Sequence, residues 1–328
     1  MISNAKAQGL NQTYVMAYGT LINLLKLPDE IIWGITRPFK EKAYQAKVKA
    51  FKDESKLKTS NLTCEEKCFD DLRILSFGRK RMIPDSGKNL LSFLNERKDF
   101  ADHIQRTVGY CWGHSSVSRN FNYLAYFEPA LRLEDESFYK KKIKSIMRGN
   151  AEVIPGFSNL REFSSDEVIK KLLKDEVVWK WADKALRLRS IGASLKGFKG
   201  LMKKKELLSF LSEVKEKLSV NHTPKIFFSN LKKPGFIHVV NVYNVIEEKD
   251  MVKLCILDNH QYEDQQRNCG VFVSIKLDGS ENFYDGWDKS KRQLEGFVGQ
   301  FGFTPEDDVE ILKFQKENTK MCLKRCGK

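Results

Sequence analysis

Cys111, His238 and the adjacent pair Asp258-Asn259 are the residues of this chain whose types can carry nucleophilic chemistry together. The thiol belongs to the stretch Gln105-Arg106-Thr107-Val108-Gly109-Tyr110-Cys111-Trp112-Gly113. Gln105 offers a side-chain amide able to polarise an oxyanion, Gly109 allows a substrate to approach closely, and Trp112 follows the thiol directly. Val117, Phe121 and Leu124 then repeat at helical spacing, with Ser115, Ser116 and Ser118 in the first turns, which predicts a helix starting at Cys111. Unpaired backbone N–H groups and the positive end of the macrodipole favour an anion at such a position, and the thiolate is the nucleophilic form of cysteine. A lone cysteine is more often a small buried hydrophobe. The catalytic reading therefore needs a base, and a group to orient that base.

Both have candidates far along the chain. His238 lies near the start of the β-branched run Phe236 to Val245, which reads as a buried strand. A charged turn, Glu247-Glu248-Lys249-Asp250, leads into a second strand, Met251 to Leu257, which ends at Asp258-Asn259. A third strand spans Gly270 to Leu277, with Val271, Val273, Ile275 and Leu277 alternating against Phe272, Ser274 and Lys276. The simplest topology is an antiparallel meander that sets His238 beside an acid or amide closing the neighbouring strand. Adjacent strand residues face opposite ways, so one of Asp258 and Asn259 can reach the imidazole. Held in one tautomer, that ring could exchange a proton with a thiol.

The order Gln105-x-x-x-Gly109-x-Cys111-Trp112, then His238 opening a Val-rich strand, then Asp258-Asn259, resembles the papain-like cysteine peptidases. The resemblance covers about 105–127 and 236–277. It implies an α+β fold of two lobes, a helical left lobe carrying the nucleophile helix and an antiparallel β-sheet right lobe. It implies Cys111 as nucleophile, His238 as general base and acid, and Gln105 with the Cys111 backbone N–H as the oxyanion hole. Gly109 and Trp112 become substrate-binding residues. Asp258 is favoured as third member, with Asn259 as the alternative, because some relatives use an aspartate there. Two departures are plain: His260-Gln261-Tyr262 replaces the Ser-Trp-Gly of many members, and Val108 stands where many carry a bridging cysteine. The expected activity is cleavage of a peptide or protein substrate through an acyl-enzyme. Rivals are a transglutaminase-type acyltransferase, whose histidine normally follows the cysteine much sooner, a cell-wall amidase, and a non-catalytic basic binding protein on a degenerate peptidase fold.

Other histidines compete poorly. His114 lies about one turn after Cys111 without an evident orienting partner, His260 falls in a polar loop, and His103 and His222 read as surface residues. No HExxH, paired CxxC or glycine-rich phosphate loop occurs, so neither cofactor nor metal is expected. A chain of 328 residues with 41% hydrophobic and 11% aromatic content can bury a real core, and no run of 18 apolar residues suggests a transmembrane segment. The net charge of +14 includes runs at 140–142 and 203–205 without interleaved aromatics. That pattern argues for a lysine-rich solvated surface, attractive to anionic polymers or membranes, and against a specific nucleic-acid site.

Seven cysteines fit one free thiol and three pairs. Cys64 and Cys68 are four apart after a Thr63-x-x-Glu66 capping box, and Cys322 and Cys326 share that spacing near the end of another helix. Twin disulfides between these helices are the first reading, a tetrathiolate zinc site the second, and reduced thiols the third. Cys255 and Cys269 flank the Asp258 loop and could bridge it. Disulfides call for an oxidising compartment. The N-terminus lacks a charged-then-apolar signal peptide, yet Ala5-Lys6-Ala7 resembles the end of one, so export is weighed against a cytoplasmic location.

The expected organisation is a mostly helical N-terminal extension over 1–95, either a cap or extra left-lobe structure, followed by a catalytic domain over 96–328 with a helical insertion at about 130–225. Leu21 to Leu27 and the Leu90–Leu94 stripe read as helical. Ser164-x-x-Glu167 predicts the start of a helix bearing Val168, Ile169, Leu172 and Leu173. Leu207, Leu211, Val214 and Leu218 predict another, and Thr304-Pro305-Glu306 the opening of the last.

Overall fold

The computed structural model of the chain describes residues 88–95, 110–180, 202–219, 222–230, 237–258, 269–279, 282–285, 294–297, 299–304 and 307–325. All of them fall in one compact unit, comprising 58–182 and 200–328. Leu21 to Leu27, Cys64, Cys68 and Cys326 lie outside the described residues, as does the side chain of Cys322.

The helix expected at the thiol forms as α1, Cys111–Leu124, and every residue from Trp112 onward is buried. An all-round buried helix needs partners on every face. Val117, Phe121 and Leu124 join a core with Leu90, Ile143, Ile146 and Phe163. Ser115, Ser118 and Asn122 recur at helical spacing on a second face, where Ser115 Oγ donates to Val239 O (2.9 Å) and Asn122 Nδ2 to Asn89 O (2.9 Å). Trp112, Ser116, Arg119 and Tyr123 mark a third face, beside the charged groups described below. Gly113 makes a close approach possible: a Cβ there would sit 2.1 Å from Val177 O.

A short strand interrupts the insertion expected to be helical over about 130–225, paired with another just before it. β1, Ala125–Glu128, follows α1 directly, and β2, Glu152–Pro155, pairs with it in parallel. The crossover is α2, Glu136–Met147, whose N-cap Asp135 accepts from Phe138 N at 2.8 Å. α3, Leu160–Ser165, leads to a helical run over 167–180. Ser164 does not cap that run. Asp166 does, accepting from Val168 N and Ile169 N at 3.0 Å each, while Ser164 Oγ accepts from Ser92 N at 2.8 Å. The Leu90–Leu94 stripe is also not helical: 88–95 is turns and bends, with Leu90, Leu91, Phe93 and Leu94 buried. Its backbone is held from outside, by Ser164, by Arg161 Nη1 on Leu91 O (3.2 Å) and by Asn122 on Asn89 O. The stripe is apolar because it crosses a core, and an irregular crossing buries such a run as well as a helix does.

α4, Lys204–Ser219, buries Leu207, Phe210, Leu211, Val214 and Leu218. The chain then builds a seven-stranded antiparallel sheet: β3 (Lys225–Asn230), β4 (Ile237–Glu247), β5 (Met251–Leu257), β6 (Phe272–Lys276), β7 (Asn282–Asp285), β8 (Leu294–Phe297) and β9 (Gly299–Phe303). Its order is β8-β7-β6-β5-β4-β3-β9. β8 and β9 are nearly continuous in sequence yet hold opposite edges, so the sheet curls on itself. The Tyr284 and Phe228 rings confirm the curl, with centroids 4.9 Å apart. In a flat sheet β7 and β3 would stand about 19 Å apart. α4, with Val240, Val242, Val252, Leu254, Val273 and Ile275, fills one side of the sheet. Tyr243, Cys255 and Leu257, alternating with those residues along the strands, face the core around α1 on the other side. The last helix, α5, runs Asp307–Arg325. Among the described residues no helix is long and apolar enough to cross a membrane.

Asp307 is the hub of a buried charged cluster joining α1, α4, β3 and α5. Its Oδ1 accepts from Arg119 and from Lys225 N (2.8 Å), and its Oδ2 lies 2.9 Å from His222 Nε2 and 3.6 Å from Lys217 Nζ. Lys225 Nζ donates to Ser116 Oγ (2.9 Å) and Glu310 (3.1 Å). Burial would raise the Asp307 carboxyl, but Arg119, His222 and Lys217 hold it well below the usual carboxylate range. His222, expected at the surface, is therefore an interior residue, and burial keeps its pKa low despite Asp307.

Candidate functional site

His238 lies on β4 directly opposite Phe228 of β3. It shares a face with Val240 and Val242, so its ring packs against Phe228 and Tyr284, at 5.5 and 5.7 Å between centroids. β5 runs antiparallel to β4 and its last residue, Leu257, pairs with Asn241, which leaves Asp258 just past the strand end. From there Asp258 Oδ1 meets His238 Nε2 at 3.1 Å. Asn259 lies outside the described residues.

A carboxylate can only accept, so Nε2 carries the hydrogen and Nδ1 is the ring nitrogen left for another partner. The second hydrogen bond of this ring is with the Cys111 side chain. Sulfur, imidazole and carboxylate thus form one chain of contacts from helix to sheet. Burial alone would lower the His238 pKa, yet the Asp258 charge and hydrogen bond, with a smaller contribution from Cys111, push it up to about 9. His238 is therefore an imidazolium at neutral pH. His238 and Asp258 are 1% and 3% exposed, whereas Cys111 is half-buried, so Cys111 is the most accessible residue of the three.

α1 is fixed against β4 by two side-chain-to-backbone hydrogen bonds. Ser115 Oγ donates to Val239 O at 2.9 Å, and Asn241 Nδ2 donates to Ser115 O at 3.0 Å. These bonds fall one and three residues after His238 on β4 and one turn beyond Cys111 on α1, setting the register between nucleophile and base. Tyr110, before the thiol, donates its N–H to Asn95 Oδ1 at 2.7 Å. Cys255 and Cys269 form a disulfide with Cα atoms 4.9 Å apart, closing the loop that begins with Asp258. Cys269 takes a positive φ of 61° and donates its N–H to Tyr243 OH (2.9 Å).

Sequence reasoning missed one residue of the site. Tyr284 OH donates to Asp258 Oδ2, so the carboxylate is held from both sides, by imidazole and phenol. Tyr284 reaches Asp258 because the sheet curls, and a four-residue strand carries no signal of that long-range closure. His114 proves a structural neighbour. Its Nε2 lies 3.0 Å from Phe93 O, and burial lowers its pKa to about 4, so it is neutral and no rival base.

The remaining expectations divide. Gln105 and Gly109 lie outside the described residues. Trp112, expected at the substrate, is 2% exposed, with Lys225 Nζ 5.9 Å from its ring centroid, so it packs the interior flank of α1 and does not line an open cleft. No family model, characterised protein or solved structure matches the chain.

Proposed function

We propose that the protein is a thiol hydrolase, a cysteine peptidase with the two-lobed plan of the papain-like enzymes. The observation that carries this reading is the single imidazole hydrogen-bonded to a helix-borne cysteine on one side and a buried aspartate on the other. Cys111 Sγ, as thiolate, attacks the carbonyl carbon of the scissile amide. Imidazolium Nδ1–H then protonates the departing amine, and the C–N bond breaks to leave a thioester on Cys111. Water attacks that thioester while Nδ1 takes its proton, and the carboxylic product leaves. Asp258 and Tyr284 keep the ring oriented through both halves. Donors for the oxyanion are the Cys111 backbone N–H, in the first turn of a helix, and the Gln105 amide.

The test is incubation with a proteome-derived peptide library, read by mass spectrometry for new termini. The wild type should generate them and Cys111→Ala should not. No cleavage, or cleavage indifferent to Cys111→Ala, would overturn the reading. Incorporation of an added primary amine in place of water would assign acyl transfer instead.

A further inference from the structure

A cavity of about 20 Å³, with Asp258 in its lining, lies between α1, β4, the end of β5 and the 88–95 crossing. Its polar lining is His114, Ser115, Ser118, Asn241 and Asp258, and Leu90, Leu91, Phe93, Leu94 and Leu257 complete the wall. None of these residues is more than 7% exposed. We propose that this cavity is a binding site for one water molecule, which bonds Asn241 Oδ1 and the Asp258 carboxylate and makes Asn241 a positioning residue for the His238–Asp258 pair. The inference deepens the catalytic reading of that pair.

Size and chemistry agree. A cavity must offer about 10–15 Å³ to hold a water, and it must offer polar partners. This one offers a surplus of acceptors. Asn241 Nδ2 is spent on Ser115 O, and Asn241 Oδ1 is buried without a hydrogen-bond partner. Asp258 accepts from His238 on one oxygen and from Tyr284 on the other, and a carboxylate has about four lone-pair sites. His114 must carry its hydrogen on Nε2, because Phe93 O can only accept, so its Nδ1 is a third acceptor. Ser115 Oγ gives its hydrogen to Val239 O and can also only accept further. A site crowded with acceptors needs a small donor of two hydrogens, and water is the smallest neutral one. Dry, Asn241 Oδ1 would carry the desolvation cost of an unpaired buried acceptor, about 1–3 kcal/mol. Filled, the water gives the Asp258 carboxylate one more donor, which favours its ionised form and fixes its orientation toward His238.

The experiment combines a high-resolution crystal structure of the full chain with NMR titration of His238 and steady-state kinetics. Ser118→Val fills the cavity from α1 and leaves the Asn241 amide intact, so it isolates the water; Asn241→Leu keeps the volume and removes the acceptor together with the Nδ2 bond to Ser115 O. The wild-type density should show one water at hydrogen-bond distance from Asn241 Oδ1 and Asp258, absent from both variants. In both, the His238 midpoint should fall by about half to one pH unit and kcat severalfold, with KM unchanged. A dry cavity in the wild type overturns the proposal whether or not the variants fold. So does a variant that loses the water yet keeps the wild-type His238 midpoint. A wild type that holds the water and shows the shift, but cleaves no peptide, leaves the water site standing and removes the peptidase reading instead.

Discussion

Replacing Asp258 with asparagine preserves the shape of the side chain and removes its charge. In the wild type, His238 is held at about 9 against the burial that would lower it, chiefly by Asp258. The gap between the ordinary value of 6.5 and about 9 amounts to about 3 kcal/mol favouring imidazolium in the folded protein. Because the folded pKa is the higher one, this stabilisation is fully present below pH 6.5, fades as pH rises toward about 9, and is gone above it. In Asp258→Asn, burial is no longer opposed by the carboxylate, so the His238 midpoint should drop below 6.5. The stability lost on substitution should then be about 3 kcal/mol greater at pH 6 than at pH 9.5. The assays are NMR titration of the His238 ring and urea denaturation at the two pH values. A midpoint still near 9, or an equal loss of stability at both, would refute the assignment of Asp258 as the group that charges His238.

Tyr284→Phe removes the donor to Asp258 Oδ2 while keeping the ring packed on Phe228; it should cost about 1–2 kcal/mol in thermal unfolding and lower the His238 midpoint less than Asp258→Asn does. Arg119→Met leaves Asp307 buried with its strongest partner gone, and the expected loss is about 3–5 kcal/mol by chemical denaturation, because breaking a buried pair strands a charge. Retained wild-type stability would mean that His222, Lys217 and the Lys225 backbone N–H suffice for Asp307. Gly113→Ala forces a methyl group against Val177 O and should cost about 1–3 kcal/mol or more, read as a lowered Tm.

Local patterns carried the elements that hold the chemistry. The helix at Cys111 and the meander around His238 were legible because their periodicities, 3.6 and 2, run over enough residues to be distinguished. The strand over Met251–Leu257 even ends where its sequence says it should. What escaped depends on contacts between distant segments. The Leu90–Leu94 run is apolar for a core it crosses without helical structure, and β1 and β2 are four residues each, too short for a period to show. Ser164 looked like a cap by spacing alone, yet Asp166 stands closer to the helix start and takes the N–H groups, freeing Ser164 to hold Ser92. His222 read as a surface residue since nothing local announces Asp307, 85 positions on in sequence but 2.9 Å away in the fold. Tyr284 joined the site for the same reason, through the curl that brings β7 against β3.

The account rests on His238 acting upon Cys111, and alkylation tests that link without any knowledge of the substrate. Iodoacetamide is applied at pH 6, where a thiol without a base is under about 1% thiolate, and labelling of Cys111 is followed by mass spectrometry in the wild type and in His238→Gln. The account predicts wild-type labelling at least tenfold faster than in the variant, with that advantage lost as pH rises past about 9 and His238 gives up its proton. Equal rates in the two proteins at pH 6 would contradict it.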